Sequence, residues 1–234
     1  MYSHQTHVVI SNTTVDRQMS VMGLISFLGD CEQLQIENDS CLYDFLKSNN
    51  LGMYLISRYL QILSMPKYGD KIDATTSIYD LRTSYGYRNT YVYDSKGNVL
   101  VKTYAMGAFV DLNTNRIARV PKSFLEDYCL EQQLEMDYPS RKIDCLGDKV
   151  DCCAIPVTYS YLDIYGHVNN ARYVSLACDV VDNVKAIKSI RVEYKNAAKL
   201  GDILHISKFV NYDKQVVQLA NSNGILYSVV ELCW

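Results

Sequence analysis

Apolar side chains recur at i, i+3 and i+4 from Val21 to Cys31, where Val21, Leu24, Ile25, Leu28 and Cys31 fall on one stripe. This spacing predicts an amphipathic helix capped by Ser20. A second stripe of the same period, Tyr173, Val174, Ala177, Val180 and Val181, predicts a second helix with Asn169 or Asn170 as its cap. Downstream, β-type stretches at residues 55–65 and 188–194 lead into alternating segments. These turn at Asp94-Ser-Lys-Gly-Asn and Asn221-Ser-Asn-Gly, both favourable hairpin loops.

The same order of elements occurs twice. Pro66-Lys-Tyr-Gly-Asp-Lys-Ile matches Ala198-Lys-Leu-Gly-Asp-Ile-Leu, and the two hairpin loops follow at nearly the same separation. Each unit reads as strand, one helix, then about four antiparallel strands: an α+β unit whose sheet wraps one long central helix. That is the hotdog arrangement, and here two units stand in tandem. Residues 1–138 form the first and residues 151–234 the second. A short helix and linker are expected between residues 119 and 151, with the linker proper at 139–150. Two copies in one chain can pair their sheets internally, so a monomer or a homodimer is expected.

The composition fits such a chain. It has 234 residues, 48% apolar and 21% charged, which excludes disordered and low-complexity architectures. No apolar run approaches the roughly 20 residues that span a bilayer, and no signal or transit segment is visible, so a cytoplasmic protein is expected. The eight cysteines form no C-x-x-C pair and read as reduced core thiols, with Cys31, Cys178 and the adjacent Cys152 and Cys153 in apolar surroundings. A net charge of −3 argues against a nucleic-acid partner. The charge is unevenly spread. Lys185, Lys188, Arg191, Lys195 and Lys199 face one acid, Glu193, in residues 185–199, whereas residues 126–137 hold five acids and no base. Such asymmetry points to an acidic partner or to a solvated face.

The densest polar cluster is Tyr161-Leu-Asp-Ile-Tyr-Gly-His-Val-Asn-Asn-Ala-Arg-Tyr, immediately before the second helix. In an extended segment Asp163, Tyr165 and His167 would project to one side. A carboxylate beside an imidazole fixes its tautomer, and the first N–H groups of the helix can hold an oxyanion, so these parts suit acyl transfer to water. The competing reading makes His167 a packing residue and Asn169 and Asn170 simple caps. His4 and His7 fall at an N-terminus expected to fray, and His205 falls in a strand.

Asp163-Ile-Tyr-Gly-His-Val-Asn-Asn-Ala-Arg-Tyr resembles the Asp-x-Asn-x-His-Val-Asn-Asn-x-x-Tyr motif of the acyl-acyl carrier protein thioesterases of plants and bacteria. The resemblance spans nearly the whole chain. It includes Ser11-Asn-Thr-Thr-Val-Asp16, Leu55-Ile-Ser-Arg-Tyr, Asp111-Leu-Asn-Thr-Asn-Arg-Ile-Ala-Arg-Val-Pro121, and Val192-Glu-Tyr-Lys followed by Gly201-Asp202. It implies a double hotdog that hydrolyses fatty acyl-acyl carrier protein thioesters, releasing free fatty acid, with no metal or organic cofactor. The first unit would bind the acyl chain and the second supply the chemistry. Asp163 and His167 match the family's catalytic Asp and His; its Asn falls on Tyr165, its Glu on Ala197, and the Cys of plant members on Ala198.

On that reading Tyr165 donates a hydrogen bond to the thioester carbonyl, and Asp163 or His167 serves as general base. Met19, Met22, Leu28 and Met53 are candidates for the acyl pocket, with Asn169 as a further substrate-binding residue. Acyl carrier proteins are acidic, which makes Lys185, Lys188, Arg191, Lys195 and Lys199 the expected docking surface and Arg116, Arg119 and Lys122 a second one. The alternatives are a coenzyme A carrier, or a double hotdog that binds acyl chains without turning them over.

Overall fold

The Ser20 hydroxyl accepts the Gly23 N–H at 3.0 Å and starts α1 (Val21–Asn38), satisfying one of the donors a helix leaves open at its N-terminus. At 18 residues α1 is about 27 Å long, and Val21, Leu24, Ile25, Phe27, Leu28 and Cys31 are buried along it. Asp39 closes this helix and caps the next, accepting the Leu42 N–H at 3.1 Å to open α2 (Ser40–Ser48). This second helix is an addition to the expected first unit. Its signal is present in the sequence as Leu42, Phe45 and Leu46 behind a capping Asp.

The computed structural model describes residues 1–211 and 214–234. Its strands are β1 (Tyr2–His7), β2 (Leu51–Ile62), β3 (Lys71–Leu81), β4 (Tyr85–Asp94), β5 (Val99–Asp111), β6 (Arg116–Ile117), β7 (Asp148–Pro156), β8 (Ser189–Tyr194), β9 (Ile203–Val210), β10 (Lys214–Ala220) and β11 (Leu226–Cys233). They form one sheet in the order β1-β3-β4-β5-β2-β8-β11-β10-β9-β7, with β6 beside β5. The order 1-3-4-5-2 is mirrored as 8-11-10-9-7, so the repeat read from the sequence is a repeat of topology. The two halves join where β2 pairs antiparallel with β8, Ser57 opposite Glu193. α1 and the shorter α4 (Asn170–Cys178) contact each other on one side of this sheet and share a single core with both halves.

Several expectations are corrected. His4 and His7 do not fray: β1 pairs with β3 along its whole length, with Tyr2 opposite Thr76 and His7 opposite Lys71. The second helix is not long. It ends at Cys178 because the chain turns through residues 179–183, where Asn183 is left-handed at φ 53°. Val180 and Val181 still pack against the core, so the stripe reported burial correctly and conformation incorrectly. Cys31 and Cys178 are buried, and burial pushes both thiols up to about 12. Cys153, however, is exposed and Cys152 half-buried.

The segment after the first unit is more than a connection. It begins as α3 (Lys122–Asp127) and then crosses the face of the sheet opposite the helices. Asn89 accepts the Leu134 N–H and the Tyr138 hydroxyl, Tyr91 and Tyr104 donate to the Glu135 and Pro139 carbonyls, and Arg191 donates to Ser140. Ile143 then packs with Val216 and Val229. β7 starts at Asp148, within the stretch read as linker.

Candidate active site

The cluster ahead of α4 is a tight turn, not an extended segment. The Asp163 N–H donates to the His167 carbonyl at 2.8 Å and the Gly166 N–H to the Asp163 carbonyl at 3.0 Å; Leu162 and Val168 form a bridge at its base. Gly166 sits at φ +75°, a conformation that glycine adopts without Cβ strain. One Asp163 carboxylate oxygen accepts the N–H groups of Tyr165 (2.9 Å) and His167 (3.2 Å), so this side chain holds the loop that carries the imidazole. The expected alternation of side chains does not apply here, and no hydrogen bond joins the Asp163 carboxylate to the His167 ring among the described residues.

The first unit contains the same turn. The Thr14 N–H donates to Gln18, Arg17 to Thr14, Ser20 to Asn12 and Met19 to Pro66; in the second unit the matching bonds run Asp163 to His167, Gly166 to Asp163, Asn169 to Tyr161 and Val168 to Ala198. Arg17 is left-handed at φ 60°, as Gly166 is at 75°. Gln18 therefore occupies the place of His167. One backbone device occurs twice, and only the second copy carries an imidazole.

Asp163, Tyr165 and His167 line a cavity of about 480 Å³ between the helices and the sheet, walled by both units. β2 brings Tyr54 to this place. Its ring centroid lies 6.4 Å from that of His167, edge to face, and 6.0 Å from that of Tyr165. Burial, with the neighbouring Tyr165 and Asp163, raises the Tyr54 phenol above its usual range. Sequence reasoning missed Tyr54, because only the β2–β8 pairing places it there. Asn169 caps α4 through its side-chain oxygen on the Ala171 N–H at 2.9 Å. The Asn170 N–H, next in line, has no acceptor among the described residues. Tyr173, pushed up to about 12 by burial, accepts the Ala198 N–H at 2.9 Å and fixes the segment that brings Ala197 to the cavity wall.

The remaining expected residues separate. Met53 lines the cavity, whereas Met19 and Leu28 are fully buried in the core and Met22 packs against it, none of them on the cavity wall. Their helical spacing marked burial, and burial here means contact with the sheet. The basic run is not one patch, because β8 puts its two ends at opposite ends of a strand. Lys185 pairs with Asp16 at 2.7 Å, Lys195 with Glu193 at 3.0 Å, and Arg191 with Glu231 at 2.8 Å beneath the crossing segment. Lys188 and Lys199 are exposed, as are Arg116, Arg119 and Lys122, next to the cavity-lining Ile117.

A tandem hotdog sheet with a polar turn at the mouth of a cavity shared by both units is the architecture of a double-hotdog thioesterase. The family model of the acyl-ACP thioesterase N-terminal domain matches residues 1–128, and that of the C-terminal domain residues 147–226. The chain belongs to the acyl-acyl carrier protein thioesterase family and hydrolyses fatty acyl-acyl carrier protein thioesters. An acyl-ACP thioesterase from Bacteroides thetaiotaomicron has a similar fold, with a TM-score of 0.88 at 19% identity over 99% of this chain and 96% of that one. The 12:0-ACP thioesterase from Umbellularia californica superposes with a TM-score of 0.82 at 15% identity, covering 100% and 96%. No curated protein sequence matches. No helix is long and apolar enough to cross a membrane among the described residues.

Proposed function

We propose that His167 is the general base of this hydrolysis and that the second unit supplies the chemistry while the first walls the acyl chain. A water molecule held at the imidazole attacks the thioester carbonyl and gives up its proton to His167. The Asn170 N–H at the start of α4, with the Tyr165 or Tyr54 hydroxyl, holds the oxyanion. When the C–S bond breaks, the imidazolium returns the proton to the carrier thiolate, leaving free fatty acid. Asp163 positions His167 through the loop backbone and adds negative charge beside it. The observation that carries this reading is the convergence of His167, Tyr165 and Tyr54 at one cavity built by both units.

The carrier is an acidic acyl carrier protein. Arg116, Arg119 and Lys122 suit its docking better than residues 185–199, because they are exposed, enter no ion pair among the described residues, and lie beside the cavity wall. A cytoplasmic location goes with this reading, supported by eight cysteines without a disulfide among the described residues.

The test is turnover of a panel of acyl-acyl carrier protein thioesters. General-base loss in His167→Ala should lower kcat about 10²- to 10⁴-fold. Asp163→Asn keeps an acceptor oxygen for the two loop N–H groups, whereas Asp163→Ala removes it; the Asn variant should retain the wild-type melting temperature and the Ala variant should not. Full activity in His167→Ala would overturn the assignment. Absent turnover in the wild type, with acyl binding intact, would mean that the pocket persists without chemistry.

A further inference from the structure

The inner floor of the cavity carries charge. Strand register sets Arg58 of β2 opposite Ala105 of β5, Ala105 opposite Arg88 of β4, and Arg88 opposite Ile78 of β3. In the next row Gly86 faces Gly107. Small residues between and beside two arginines leave open space above the sheet, and Glu32 reaches toward it from α1. Arg58, Arg88, Glu32, Ala105, Gly86 and Gly107 all line the cavity.

These charges are not balanced. Arg58, 2% exposed, holds both oxygens of Glu32, and the Thr90 hydroxyl donates to the same carboxylate at 3.2 Å. Arg88 is 8% exposed and makes no hydrogen bond or ion pair with any described residue; its Nη1 is buried without a partner. Burial lowers its affinity for the proton and Glu32 opposes that effect, yet a guanidinium remains protonated in proteins. The cluster thus holds two cations and one anion. An unpaired buried charge is strongly unfavourable unless something supplies its partner. Here the unpaired guanidinium stands where a ligand arrives.

We propose that the cavity takes an acyl chain bearing an oxygen acceptor, by preference a carboxylate, which pairs with Arg88. The proposal rests on the reading that this cavity holds the acyl chain. Tyr54 at the mouth pairs with Ala108 and Arg58 on the floor with Ala105, across a bulge in β2, so three residues of β5, about 10 Å at the usual strand rise, separate them and the acceptor lies well down the chain from the thioester.

The full-length protein would be assayed with acyl carrier protein thioesters of matched length that end in methyl, hydroxyl or carboxylate. Charge-assisted pairing should favour the carboxylate over the methyl terminus about 10- to 100-fold in kcat/KM, and Arg88→Met should abolish that preference, bringing the carboxylate-to-methyl ratio to about one or below. Arg88→Lys should keep part of it. Hydroxyl-ended chains ahead of carboxylate-ended ones would overturn the preference for an anion. Parallel loss on all three substrates in Arg88→Met, with the wild type favouring methyl, would make Arg88 structural and overturn the proposal. Calorimetry of the wild type with free dicarboxylic and monocarboxylic acids of equal length needs no turnover. Tighter dicarboxylate binding by a protein that hydrolyses nothing would sink the hydrolytic assignment and leave this one standing, whereas hydrolysis with no dicarboxylate preference would do the reverse.

Discussion

Replacing Glu32 with Gln tests whether three buried charges, and not two, share the cavity floor. The substitution preserves volume and removes the only anion of the cluster, leaving Arg58 and Arg88 buried in mutual repulsion. Breaking a buried ion pair from one side costs about 3–5 kcal/mol, and Glu32→Gln belongs at the top of that range because Arg58 loses its partner and the unpaired Arg88 loses the nearby anion that offsets its charge. Arg58→Met should cost less than about 3 kcal/mol, since Arg88 and Thr90 remain beside the carboxylate. For a chain of this size each kcal/mol moves Tm by about 2–4 °C, so the two variants should differ by several degrees in melts at neutral pH. The pH dependence has a definite sign. Burial alone would raise the Glu32 carboxyl; the Arg58 charge and hydrogen bonds, with Arg88 and Thr90, outweigh it and hold the group below its ordinary range. Its contribution is therefore complete above the unfolded value of about 4.3 and is lost as pH falls through the lower folded value. Glu32→Gln should flatten the acid limb of the wild-type profile. Equal or greater destabilisation by Arg58→Met would refute the three-charge account.

Two further perturbations probe the cavity and its approach. A Cβ on Gly86 would stand 2.7 Å from Met53 Cε and 2.9 Å from Leu81 Cδ2, so in Gly86→Ala these side-chain ends must shift while the new methyl narrows the cavity that Gly86 and Met53 line. Turnover of the longest accepted chain should fall about 10-fold relative to a shorter one, and an unchanged chain-length profile would show that Met53 does not bound the substrate. Reversing Arg116 and Arg119 to Glu should weaken carrier-protein substrates far more than small thioesters, while Lys188→Glu with Arg191→Glu should disturb stability through the Glu231 pair. Equal loss on large and small thioesters in the first variant would remove docking from this patch.

The parts of the fold legible in the sequence are those written locally. Ser20 and Asn169 announce their helices because a cap acts within three residues, and the Gly-Asp turns announce the repeat because each is a complete local device. Three features escaped for different reasons. The α2 pattern lay in a stretch that the repeat had no counterpart for. The alternation rule failed at Asp163 because an Asp accepting two backbone N–H groups turns the chain before alternation can operate. The basic run misled because proximity in sequence along a strand is distance in space, and Arg191 faces Glu231 across a sheet pairing that no local pattern encodes.

The site divides along the same line. The motif around His167 was visible as a cluster of residue types, but the groups that give it a substrate were not. Tyr54, Arg58 and Arg88 lie 4 to 34 residues of chain apart from one another in β2 and β4, and read singly they resemble solvent-facing positions. Only the register of β2, β5 and β4, with α1 laid above them, turns two arginines and a glutamate into a cavity floor. The duplicated turn makes the complementary point. Residues 13–20 and 162–169 share their backbone hydrogen bonds and a left-handed residue, yet one presents Gln18 and the other His167. A scaffold that appears twice cannot by itself explain chemistry assigned to one copy. The difference has to lie in the side chains it holds and in what the opposite unit places against them, and at His167 that partner is Tyr54.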